Sequence, residues 1–190
     1  NHPSDVLQSI EIIDTPGANA ENPRHGQVAA EVLEDIADVA LIAIPADMAG
    51  SQSLLKFVKK NLRDVIHRCV FVVTKVDMLT SDRERARLKK QLQSRLTKAL
   101  GTQELSVVFT APKLTLDLIT TGEIVSNLEP NQAREMAENF FKIEQKLYKF
   151  MLSQRQLVIS EKISKMIYLA FSELSQTIKL LEENYDQRQQ

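Results

Sequence analysis

The chain has 190 residues, 43% hydrophobic and 26% charged, a globular composition that excludes a disordered tail or low-complexity linker. Lys and Arg total 24 against 25 Asp and Glu, so the formal net charge of −1 gives no argument for nucleic-acid binding or for attraction to an anionic membrane. A single cysteine makes no internal disulfide, and no apolar run approaches the roughly 20 residues needed to cross a bilayer.

Residues 1–8 hold no charged-then-apolar leader. Residues 8–14 (QSIEIID) are Ile-rich and end in turn chemistry, which predicts a strand. Residues 26–37 place Val28, Val32 and Ile36 four apart, which predicts a helix. Residues 39–45 (VALIAIP) form a continuous apolar run stopped by Pro45, a second predicted strand. Residues 52–66 carry Leu54, Val58, Leu62, Val65 and Ile66 on one helical stripe, with Ser51 placed to cap its start. Residues 69–75 (CVFVVTK) and 105–110 (LSVVFT) are β-branched and aromatic, as strands buried on both faces are. Between them, residues 82–100 set Leu88, Leu92, Leu96 and Leu100 on one stripe, and Gly101 is placed to end that helix. Alternating strands and helices predict a doubly wound, mainly parallel α/β sheet.

The pattern changes at Pro130, which divides the chain into residues 1–130 and 131–190. Met136, Phe140, Ile143, Leu147 and Phe150 recur at helical spacing and read as packing. Residues 156–187 hold one long stripe, Ile159, Ile163, Met166, Ala170, Leu174, Ile178, Leu181 and Tyr185. An unbroken helix there would be about 45 Å long, too long to bury on a small sheet. Its stripe requires other helices, from this chain or another, so Leu174 and Ile178 are expected in a helix–helix contact.

Two motifs carry chemistry. Asp14-Thr15-Pro16-Gly17 follows the first predicted strand. A carboxylate at the C-terminal end of a parallel strand faces the crevice where ligands of open α/β sheets bind, and it can hold a hydrated Mg²⁺. Gly17 lets backbone approach a phosphate and offer its N–H. Alternatively, the four residues are a plain turn. Thr74-Lys75-Val76-Asp77 ends the strand beginning near Cys69. A carboxylate at Asp77 can accept from N1–H and the 2-amino group of guanine, and adenine would leave it unpaired. The stem of Lys75 can lie along the base and ribose.

The order of these two motifs, each ending an apolar strand, resembles the GTP-binding domain of the P-loop class. Asp14-Thr15-Pro16-Gly17 is similar to its switch II motif, and Thr74-Lys75-Val76-Asp77 to its guanine-recognition motif with the Thr usual in the dynamin family. Thr110-Ala111-Pro112-Lys113 resembles the third base-contacting loop, with Thr in place of Ser and Pro112 interrupting it. The long helices after the sheet also resemble dynamins, which follow the GTPase domain with a bundle or stalk. The resemblance covers most of residues 8–152. It implies a partial P-loop GTPase domain followed by long α-helices. It also implies binding of GTP or GDP with Mg²⁺ and hydrolysis of GTP, coupled to membrane remodelling. By resemblance Asp14 would hold Mg²⁺ through water and Gly17 would sense the γ-phosphate. Thr74, Lys75, Asp77, Thr110 and Ala111 would contact the base side. The implied partners are a second copy or companion chain, through the GTPase domain and the long helices, and a peripheral membrane. The implied location is the cytoplasm.

The sequence departs from this family in one large respect. None of its five glycines (17, 26, 50, 101 and 122) belongs to a Gly-x-x-x-x-Gly-Lys-Ser/Thr loop, the phosphate cradle of the class. In the family that loop and switch I precede the switch II motif, so the chain is expected to begin inside the domain and to be inactive alone. The strand leading into the loop lies, in the family, between the two strands that match 8–14 and 39–45, so these would face each other across a gap of one strand. The alternative is a truncated, non-catalytic helical interaction module. Ala18 stands where many GTPases carry a water-positioning Gln, which leaves no catalytic side chain to name. His2, His25 and His67 are scattered, Cys69 reads as core, and the seven basic residues of 82–98 read as the solvated face of a helix.

Overall fold

A computed structural model describes residues 11–17, 23–79, 81–102 and 105–189. Three parallel strands form one sheet in the order β1 (Ala40–Pro45), β2 (Cys69–Thr74), β3 (Ser106–Phe109). The register runs from Ala40 opposite Cys69 to Pro45 opposite Thr74, and from Val70 opposite Ser106 to Val73 opposite Phe109. Central β2 is buried along almost its whole length, as its Val/Phe run predicts. Alternate side chains serve opposite faces. Cys69, Phe71 and Val73 join a core with Leu54 and Val58 of helix α2 (Gln52–Asn61) and Leu92, Leu96 and Leu100 of helix α3 (Asp82–Leu100). Val70 and Val72 pack on the other face with Val108 and Ile143. This is a parallel α/β sheet with a helical region after it, as expected.

Local chemistry sets the helix ends. The Ser51 hydroxyl accepts from Leu54 N–H at 3.3 Å at the start of α2, and the Ser81 hydroxyl accepts from Glu84 N–H at 3.2 Å at the start of α3. Gly101 closes α3 in the left-handed region at φ 74°. Helix α4 (Pro112–Thr121) begins on a proline, whose missing N–H costs nothing in the first turn.

Three expectations are corrected in detail. Residues 8–10 of the first predicted strand lie outside the described residues, and 11–14 form no strand, with Ile12 75% exposed. A strand exists only by pairing. Residues 11–14 pair with none of the three strands of the described sheet. The helix predicted over 26–37 is α1 (Pro23–Glu31) followed by a π-helical turn, Val32–Ile36, which Ala37 N–H closes on the Val32 carbonyl at 2.7 Å. The helix predicted over 52–66 stops at Asn61, because Leu62 and Val65 enter the same core from a turn rather than from a helix.

After Pro130 there is helix and no strand among the described residues: α5 (Pro130–Glu138) and α6 (Phe141–Gln189). The chain divides into compact units 1–150 and 151–190, the division falling inside α6. In the first unit Ala133, Met136 and Ala137 join the main core and Ile143 covers the second sheet face. In the second, Leu174 and Ile178 are 59% and 55% exposed, so the expected helix–helix contact is not made within this structure.

Candidate nucleotide-binding site

The site is built at the C-terminal ends of β2 and β3. Thr74 ends β2, and Lys75 then turns the chain with φ 58° and ψ 29°. It is the one non-glycine residue with positive φ among the described residues. For an L-residue this left-handed conformation costs roughly 1–2 kcal/mol, which the surrounding fold must supply. The turn sends Val76 into the core and leaves Asp77 half-buried at the crevice side of the sheet. A short 3-10 helix, Val76–Met78, follows, with Met78 N–H on the Lys75 carbonyl and Leu79 N–H on the Val76 carbonyl, both at 3.2 Å.

Lys75→Gly is expected to stabilise the protein by roughly 0.5–1 kcal/mol, strain relief exceeding the entropy cost of glycine. The melting temperature should rise by about 2 °C, with Lys75→Ala unchanged because alanine keeps the strain. Equal melting temperatures for the two variants would show that the turn stores no strain.

Parallel pairing places Thr110 beside this turn, with its N–H donating to the Val73 carbonyl at 2.9 Å. Thr110 and Ala111 are fully buried. The Thr110 hydroxyl donates to the Met136 carbonyl of α5 at 3.0 Å, and Ala111 N–H reaches the same oxygen at 3.5 Å. Two further bonds fasten this corner: Thr115 hydroxyl to the Ala137 carbonyl at 2.9 Å and Asn139 Nδ2 to the Phe109 carbonyl at 3.2 Å. The Thr110 hydroxyl and the Ala111 N–H thus point to α5.

Among the described residues, no hydrogen bond or shared element joins Asp14 and Gly17 to this corner. Both are exposed in an irregular segment, and a Cβ added at Gly17 would meet nothing within 4 Å. Among the described residues no three His, Cys, Asp or Glu side chains gather as a metal site. Asp14 alone offers one carboxylate, which suits Mg²⁺ only when water and phosphate oxygens complete its shell.

A family model described as the dynamin family matches residues 2–76. Those residues are similar to dynamin-family sequence. The match takes in Asp14-Thr15-Pro16-Gly17 and Thr74-Lys75-Val76, and Asp77 is the next residue. No curated protein matches the chain. In dynamin terms, the sheet with its helices is consistent with a partial P-loop GTPase domain, followed by a helical region. The family is one of guanine-nucleotide-binding GTPases.

Sequence reasoning passed over the residues that hold the turn after β2 from behind. Arg85 was grouped with the basic face of α3, yet its side chain is only 14% exposed. It lies against a cavity of about 220 Å³ whose lining includes Val76, Leu79, Phe109, Gln132 and Met136. That is smaller than the about 300–1,000 Å³ of ligand pockets. The cavity lies between the turn, α3 and α5. Two signals were legible: the Ser81-x-x-Glu84 start of α3, and Asp82 three residues before Arg85 on the same helix face.

Proposed function

We propose that this chain is the base-reading part of a dynamin-family GTPase. The whole protein would bind GTP with Mg²⁺, hydrolyse it to GDP and phosphate, and couple that to membrane remodelling. The observation that supports this most is the turn after β2, where strained Lys75 sets a half-buried Asp77 at the end of the central strand. The Asp77 carboxylate accepts from N1–H and the 2-amino group of guanine, and the Lys75 stem lies along the base. Thr74, Thr110 and Ala111 shape the base side. Asp14 holds hydrated Mg²⁺, and Gly17 offers its N–H to the γ-phosphate. Mg²⁺, when bound, neutralises charge on the β- and γ-phosphates. The proposed location is the cytoplasm, with peripheral membrane association. Among the described residues no helix is long and apolar enough to cross a membrane.

A second reading, a helical interaction module that pairs with a second copy or companion chain, has its own support. Ile163, Met166, Leu174 and Ile178 are more than half exposed on one stripe of the second unit. Contiguous apolar surface of this kind marks interaction sites.

The test is calorimetric titration with GDP and ADP. The protein is expected to prefer GDP, and Asp77→Ala is expected to weaken GDP by about 1.5–3 kcal/mol and abolish the preference. A preference that survives in Asp77→Ala would overturn the base-reading role.

A further inference from the structure

The turn that carries Asp77 is anchored at its start by β2, but its own two bonds are of the 3-10 type, whose geometry is poor. Its far end, Leu79, is held from outside. Arg85 donates from Nη1 to the Leu79 carbonyl. The same guanidinium donates from Nη2 to Asp82 Oδ1 at 2.6 Å and to Gln132 Oε1 at 3.0 Å. Gln132 closes the ring by donating from Nε2 to Asp82 Oδ2 at 2.9 Å. Three parts of the chain meet at one side chain: the base-reading turn, the first turn of α3, and α5.

An exposed ion pair contributes little. This one differs, although Asp82 is 76% exposed, because the Arg85 side chain is only 14% exposed and its rigid fork is shared among three acceptors. Lysine, a single flexible ammonium, cannot reproduce that arrangement. Gln132 adds directionality: its amide meets donor and acceptor together, so the ring forms only when α5 sits at one height against α3. The Leu79 carbonyl, and with it the backbone two residues after Asp77, is thereby referred to α5.

We propose that Arg85, braced by Asp82 and Gln132, is a positioning residue for guanine specificity: it sets the place of Asp77 and makes base recognition depend on the docking of α5. The proposal rests on the reading of Asp77 as the guanine acceptor. Arg85 itself touches no nucleotide.

The test compares wild type, Asp77→Ala, Arg85→Met, Arg85→Lys and Gln132→Leu in titrations with GDP and ADP, and by amide hydrogen exchange without nucleotide. Arg85→Met and Gln132→Leu are expected to weaken GDP about tenfold with ADP unchanged, and Arg85→Lys to fail to restore it. The amides of Met78 and Leu79 should exchange about tenfold faster in both variants, with those of Val72 and Val73 unchanged. If Asp77→Ala loses the preference for GDP while Arg85→Met and Gln132→Leu keep it, the positioning role is overturned and the base-reading role stands. If Asp77→Ala keeps the preference, or wild type has none, the base-reading role falls and takes the specificity role of Arg85 with it. Should Arg85→Met not fold, Gln132→Leu, which removes only a half-buried amide, decides the matter by the same readouts. A lowered melting temperature with an unchanged GDP-to-ADP ratio would mark the ring as a structural staple and overturn the proposal.

Discussion

Phe71→Ala is expected to destabilise the protein by about 3–5 kcal/mol, the usual loss for a fully buried aromatic ring. Phe71 sits in the middle of β2, fully excluded from solvent, opposite Ile42 of β1 and Val107 of β3. It belongs to the core that α2 and α3 close over the sheet. Truncation leaves a void that side chains on three strands and two helices line, and a parallel sheet pinned by its ladders cannot collapse to fill it. Domains of this size hold only about 5–15 kcal/mol in total, so the loss is a large share of the whole. The consequence reaches the candidate site, because β2 is the strand that ends at Thr74 and leads into Lys75 and Asp77. Urea unfolding should show the midpoint falling with little change in slope. Leu116→Ala, at an exposed position on α4, is the control and should stay within about 0.5 kcal/mol of wild type. Similar small losses in both variants would mean that the β2 face is not the core.

What the sequence discloses and what it hides divide along physical lines. Helix α3 was legible to the residue, because both of its ends are set by local chemistry, Ser81 at one and Gly101 at the other. Strand β2 was legible because a run of Val and Phe has no other favourable place than between two layers. Residues 11–14 were misread because Ile-rich composition describes a strand's side chains while pairing decides whether the strand exists. The end of α2 was misread for a related reason. A helical stripe reports which residues are buried, and Leu62 and Val65 are buried, but it does not report the backbone that carries them. The break between α5 and α6 at 139–140 was invisible, since Met136, Phe140 and Ile143 keep their spacing straight across it. There the Asn139 side chain bonds the Phe109 carbonyl, 30 residues away in sequence.

The candidate site divides in the same way. The turn at Thr74-Lys75-Val76-Asp77 follows from strand chemistry and a motif, and both were on view. The strain at Lys75 was not, since lysine ordinarily avoids positive φ. That the Thr110 hydroxyl goes to the Met136 carbonyl is a tertiary fact with no local signature. The ring of Asp82, Arg85 and Gln132 is the same kind of fact, with only its Asp82–Arg85 half encoded by helical spacing.

The other large expected effect is a loss of stability in alkali that one thiol controls. Cys69 opens β2, buried, with its Sγ–H donating to the Val65 carbonyl at 3.3 Å. Burial pushes its pKa up from 9.0 to about 12, and the neighbouring Arg68 charge only partly opposes this. Below pH 9 the thiol is neutral in folded and unfolded chains alike, and its contribution to stability is fully present. Between pH 9 and about 12 the unfolded chain releases the proton and the folded one does not, so each pH unit favours unfolding. At about 1.4 kcal/mol per unit the whole window is worth on the order of 4 kcal/mol. The informative quantity is a difference between two proteins that share every other group. Cys69→Ala keeps a small apolar side chain and removes the proton, and the other groups are common to both proteins. Urea unfolding at pH 8 and at pH 11 should show wild type losing about 3 kcal/mol more than Cys69→Ala over that interval. The thiol should also resist alkylation at pH 8 as long as the domain is folded, because the thiolate is the nucleophile. Parallel stability profiles for the two proteins, or rapid alkylation of the native chain, would place Cys69 at a surface and remove it from the core of β2.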